Sequence, residues 1–152
     1  MQLAVYVGML HRGEQTLAEA FRQVEAGHSD EADVAHTCHT LATWCDGHVE
    51  KLAPIAERYG EMGVAEPERL HADALGKVRA GPVGLLRDLQ DLHLLATLVS
   101  SSWVVIGQAA QGARDHELMD VVSACSGETD RQITWLNTRM KVAAPQALLV
   151  AD

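Results

Sequence analysis

Asp33 to Tyr59 reads DVAHTCHTLATWCDGHVEKLAPIAERY. Taken every three and four residues, it gives Val34, Cys38, Leu41, Cys45, His48, Leu52, Ile55 and Tyr59. That spacing holds side chains on a single stripe, the inward seam of a packed α-helix. Five of these eight are ordinary core residues, and the other three are two thiols and an imidazole. Cys45 and His48 stand three apart, so on a helix they project from the same face one turn apart. The seam therefore decides the fold class and also carries groups capable of chemistry.

The preceding residues have the same rhythm. Leu3, Val7, Leu10, Glu14, Leu17, Phe21 and Val24 follow one another at steps of three or four, with His28 next in phase. Glu14 is a carboxylate in an otherwise apolar stripe, and His11 lies one turn before it. Gly27 suits a helix end, and Ser29 or Asp30 suits the cap of the next helix. So short a connection makes the first two helices an antiparallel hairpin. After Tyr59 come Gly60, Gly63, Pro67, a modest helical piece at Glu68–Leu75, then Gly76, Gly81 and Pro82. A third seam follows in Leu85, Leu89, Leu92, Ala96, Val99, Trp103, Ile106 and Ala110, with Leu86, Leu94, Leu95, Leu98, Val104 and Val105 adding further apolar faces. Gly112 and Asp115 mark a short turn into a fourth, with the seam Leu118, Val121, Cys125, Glu128, Gln132 and Trp135. The apolar tail Ala147–Val150 is expected to fold back on the bundle.

The reading is an all-α single domain over residues 1–152, with helices at about 2–26, 30–59, 83–111 and 115–141 and a connection at 60–82. A chain of this length suits one core. A composition 47% apolar but only 4% aromatic, with a single Phe, favours helices over a sandwich or barrel. Two short-looped hairpins joined by one long crossover make a ferritin-like four-helix bundle, and an up-down bundle with an embellished middle loop is the alternative.

A net charge of −9 argues against a nucleic-acid groove or a polybasic membrane surface. Three cysteines without a C-x-x-C pair argue against a disulfide framework, so a reducing, cytoplasmic setting is expected. The opening MQLAVYVGML has no basic n-region or cleavage site and reads as mature helix. Leu92 to Ala113 lacks Asp, Glu, Lys and Arg and is long enough to span a bilayer. Its His93, Thr97, Ser100, Ser101, Ser102, Gln108 and Gln111 instead suggest a soluble helix buried on most sides. Its surplus of apolar faces predicts a homodimer or a covering by the tail.

With the first turn near Ser29, Glu14 falls opposite Trp44 or Cys45, and His11 near Gly47 or His48. Glu128 lies at the middle of the fourth helix. Glu14, Cys45, His48 and Glu128 are therefore expected to converge at mid-bundle. Here the chain resembles the ferritin-like diiron superfamily, whose four helices carry Glu, E-x-x-H, Glu and E-x-x-H in order. Glu14 matches the first glutamate. Cys45-Asp46-Gly47-His48 sits where the first E-x-x-H would, with Cys for Glu, and Glu128-Thr129-Asp130-Arg131 where the second would, with Arg for His. The third helix offers Ser100 to Ser102 and Asp88 or Asp91, and no glutamate.

The resemblance implies a degenerate site that could hold one metal ion on Glu14, His48 and Glu128, with Cys45 or His11 as a fourth donor and Arg131 as a charge partner. A thiolate beside imidazole tilts the choice toward zinc, and carboxylates with imidazole suit iron or manganese. Redox or storage-type chemistry would follow. Two other classes compete: a non-catalytic bundle that dimerises and whose buried Glu/His/Arg network has replaced the metal, and a bundle binding haem or an apolar small molecule. Cys38 and Cys125 read as small core residues, Asp33, His36 and His39 as a half-exposed polar face, and Trp44, Trp103 and Trp135 as packing or interface residues.

Overall fold

A stripe that recurs every three to four residues is removed from water only when its helix lies along another. Among the described residues the chain does this four times. A computed structural model describes residues 2–60 and 76–151, which form α1 (Gln2–Gly27), α2 (Ala32–Tyr59), α3 (Gly81–Ala113) and α4 (His116–Pro145), followed by a π-helical turn at Gln146–Val150. Among the described residues there is no strand. The protein is an all-α four-helix bundle.

Three of the four seams are buried as their spacing predicts. α1 buries Val7, Leu10, Glu14, Leu17, Phe21 and Val24, α2 buries Val34, Cys38, Leu41, Cys45, His48, Leu52 and Ile55, and α3 buries Leu85, Leu89, Leu92, Ala96, Val99, Trp103, Ile106 and Ala110. Each fully buried Leu, Ile or Phe contributes roughly 1.5–3 kcal/mol. In α4 the core residues are Leu118, Cys125, Thr129, Gln132, Leu136 and Ala143, while Val121, Glu128 and Trp135 lie at its edge. Leu118, Cys125 and Gln132 hold the predicted seam, and packing selects the residue one further on at the other two steps, Thr129 in place of Glu128 and Leu136 in place of Trp135.

The helix ends have identifiable causes. Gly60 adopts a left-handed φ of 68° and returns its N–H to the carbonyls of Ala56 and Glu57. Arg114 closes α3 in the same way at φ 53°, and Asp115 caps α4 by accepting from the Leu118 N–H at 3.1 Å. The cap of α2 is Glu31, with no side-chain bond, in place of the expected Ser29 or Asp30.

α1 packs against α2 and α3, and α4 against α3 and α2. At one end of the bundle Tyr59 donates to Asp115 at 2.6 Å and Arg58 to the same oxygen at 2.8 Å. At the other end His28 meets Asp88 at 2.7 Å, and a Cβ on Gly27 would overlap the Val78 side chain. α2 and α3 therefore finish at the same end. The helical piece at 68–75 and most of the connection at 60–82 lie outside the described residues.

Two expectations are corrected. The tail does not fold back: Gln146–Val150 continues beyond Pro145 as a π-turn, burying Ala147 and leaving Leu148, Leu149 and Val150 exposed. Nor is α3 buried on most sides, because Leu94, Val104 and Val105 are more than half exposed on its outer face. By length and composition α3 is the one described helix that could cross a membrane.

Candidate functional site

α1, α2 and α4 each bring one ionisable group to mid-bundle. The His48 ring is fully buried, with Nδ1 3.0 Å from Glu14 Oε1 and Nε2 3.0 Å from Glu128 Oε1. α3 contributes Trp103, whose Nε1–H donates to the same Glu14 oxygen at 3.0 Å. The indole stands edge-on to the imidazole, 6.1 Å between centroids at 86°. Four helices thus meet at one hydrogen-bonded chain. Glu14 is fully buried, whereas the Glu128 side chain keeps 29% of its exposure, making Glu128 the solvent-facing end.

Carboxylates accept hydrogen bonds, so both ring nitrogens of His48 donate and the ring is the imidazolium. Burial by itself would lower the His48 pKa. The hydrogen bonds and charges of Glu14 and then Glu128 outweigh it, and the net shift is upward. Glu14 Oε2 is buried with no hydrogen-bond partner among the described residues, so the carboxylate leans on one oxygen for both of its bonds.

Each predicted site residue can now be located. Glu14, His48 and Glu128 are brought together directly. Cys45 is buried beside them and accepts from Gln132 Nε2 at 3.2 Å. Burial, and then the Glu14 charge, push its thiol well above the ordinary value. His11 is buried one turn away on α1, its Nε2 without a hydrogen-bond partner among the described residues. Burial, and then the neighbouring Arg12, lower its pKa. Arg131 is solvent-exposed and joins no ion pair with Glu14 or Glu128. Its role as charge partner is corrected: Glu128 already sits at the edge of the α4 stripe, so a residue three further on turns outward.

The donor set does not fit a single ion bound by Glu14, His48 and Glu128. A metal-bound histidine offers one nitrogen to the ion and directs the other to an outer partner. Here the two carboxylates lie at opposite nitrogens and face no common point. Among the described residues, no group of three or more His, Cys, Asp or Glu side chains is arranged to hold a metal ion. The same double engagement leaves His48 no free nitrogen for a haem iron.

Sequence reasoning missed two things. Trp103 lay on a seam and gave no sign that its N–H would reach Glu14. A second polar cluster stands at the end of the bundle, where His28 Nε2 bonds fully buried Asp88, which also accepts from the Arg79 backbone N–H at 3.1 Å and from its guanidinium at 2.8 Å. The signal for it was His28 falling in phase with the α1 seam. No protein-family model, curated protein or solved structure matches the chain.

Proposed function

We propose that this protein is a non-catalytic helical scaffold of ferritin-like topology, in which a charged Glu14–His48–Glu128 network stands where related bundles would hold a metal. It self-associates through the outer face of α3. The observation that carries the reading is the engagement of both His48 nitrogens by carboxylates from different helices. A network so engaged fixes the relative register of α1, α2 and α4 and leaves no open position for a substrate. The ferritin-like topology is supported by α2 and α3 ending together at Asp115, since in that fold the second and third helices run parallel and a crossover joins them.

Self-association is supported by Leu94, Val104 and Val105, exposed on one face of α3 with Thr97, Ser101 and Gln108 between them. Metal analysis of the purified protein, before and after incubation with iron, manganese and zinc, tests the first part. Substoichiometric metal in both the parent and Glu14→Gln is expected. One tightly held ion per chain, lost in Glu14→Gln, would overturn the scaffold reading in favour of a mononuclear site. Sedimentation at micromolar concentration tests the second part: a dimer that Leu94→Glu converts to monomer is expected, and a monomeric parent counts against it.

A further inference from the structure

The outer face of α3 carries a seam of its own. Gln90, Leu94, Thr97, Ser101, Val104 and Gln108 follow one another at alternating steps of four and three, and all six are exposed. Two seven-residue repeats interleave in them, the spacing of a helix that packs along a second helix. The solvent face of a surface helix normally carries charge, yet Leu92 to Ala113 holds no Asp, Glu, Lys or Arg. The chain carries a net charge of −9, so two copies repel on approach, and this stripe is where they can touch without bringing like charges together.

The order of side chains along the stripe says what covers it. From Gln90 it runs amide, aliphatic, hydroxyl, hydroxyl, aliphatic, amide, and it reads the same backwards from Gln108. A two-fold axis at the level of Val99 therefore pairs like with like. Leu94 falls on the partner's Val104, Thr97 on the partner's Ser101, and Gln90 on the partner's Gln108. A closed two-fold contact needs this self-complementarity, because each patch meets its own copy. Ser101 donates to the Leu98 carbonyl at 2.9 Å, whereas the Thr97 hydroxyl donates to no described residue. The two therefore fit as acceptor and donor, and the carboxamides at either end supply both.

Other arrangements lose the match. One step further out, the axis sets exposed Arg87 opposite the partner's Gln111, whereas a parallel pairing would bring the two Arg87 side chains together. Sliding one helix by a heptad in either direction sets Leu94 against Thr97 or Gln111. A bilayer is the poorer occupant, because it would leave the hydroxyls and carboxamides of the stripe without partners.

We propose that two copies of this chain pair α3 against α3 in antiparallel, about a two-fold axis at the level of Val99. The pairing rests on the self-association proposed above and gives it a direction and a register.

Disulfide trapping tests it. In this register residue 90 of one copy lies beside residue 108 of the other. The two copies of residue 90, like the two of residue 108, are about 27 Å apart along the axis, beyond the reach of a disulfide. The single variants Gln90→Cys and Gln108→Cys, both at exposed positions, should keep the parent's thermal transition and its dimer on sedimentation. The three native thiols are buried, and the parent serves as the blank. Under mild oxidation the equilibrated equimolar mixture is expected to give about tenfold more covalent dimer than either variant alone. A dimeric parent whose mixture cross-links no better than Gln90→Cys alone would overturn the antiparallel pairing and leave self-association standing. A monomeric parent would overturn both.

Discussion

His48 Nδ1 lies 3.0 Å from Glu14 Oε1, and neither side chain has any exposure to solvent. Taking two charges out of water costs several kcal/mol each, and their attraction repays that only while both partners are present. The pair is therefore conditional: together its members fix register, and either one alone is a buried charge. Glu14→Ala removes the acceptor of both His48 Nδ1 and the Trp103 N–H, leaving the His48 charge only the partly exposed Glu128. A loss of about 3–5 kcal/mol is expected in urea unfolding. Trp103→Phe removes only the indole donor and should cost about 1–3 kcal/mol. A Glu14→Ala variant within about 1 kcal/mol of the parent would show that the network does not hold the bundle.

The upward shift of His48 sets a pH dependence. Its folded pKa lies above the ordinary 6.5, so its contribution to stability is complete below pH 6.5 and is lost as pH rises through the folded value. His11 works in the opposite direction. Its folded pKa is lowered, so its contribution is lost as pH falls through the unfolded value. Urea midpoints of the parent and His48→Gln, compared across neutral to alkaline pH, isolate the His48 component. The gap between them should narrow as pH rises. A gap that stays constant would contradict the imidazolium assignment.

All three cysteines are free and buried. Burial first, and then nearby carboxylates, push the Cys38 thiol up to about 12. Burial likewise pushes Cys125 up to about 12, although the Lys51 charge acts against it. The thiolate is the nucleophile, so the native protein should react with a thiol reagent only at the rate at which it opens. Three equivalents should react promptly in denaturant. One fast equivalent in the native state would identify an accessible thiol and contradict this burial.

Gly84 sits where Arg79 passes over α3. A Cβ there would lie 2.9 Å from the Arg79 carbonyl carbon and 3.2 Å from its oxygen, closer than backbone atoms tolerate. Gly84→Ala should displace the Arg79 segment from Asp88 and cost about 1–3 kcal/mol, the usual range for overpacking. Thermal melts of Gly84→Ala and Arg79→Met separate the steric effect from the ionic one. Unaltered stability in Gly84→Ala would mean that the segment yields freely.

The sequence made α1, α2 and α3 legible because their seams hold three- and four-residue steps whose inward members are nearly all apolar. It also made the meeting of Glu14 with His48 legible, since the short α1–α2 turn leaves little freedom in level. α4 was harder. Its apolar residues are sparse, so two stripes one residue apart fit almost equally well, and only packing against α2 and α3 selects the one through Thr129 and Leu136. The misplaced role of Arg131 follows from that one-residue drift. The partners of His28 were not legible, because Asp88 and Arg79 lie far from it along the chain and nothing in local spacing links them.

The polar bonds that cross between residues 2–60 and 76–151 are specific in kind and position: His28 to Asp88, Glu14 to Trp103, His48 to Glu128, Gln132 to Leu41 and Cys45, Arg139 to Asp33, and Tyr59 to Asp115. They run from one end of the bundle to the other, and a slip of either hairpin by a single turn would break every one of them. Two hairpins keyed in this way carry the information for mutual recognition in their own side chains. Supplied as separate polypeptides, they have what is needed to find one another and pair in a single register, as the halves of a split reporter do.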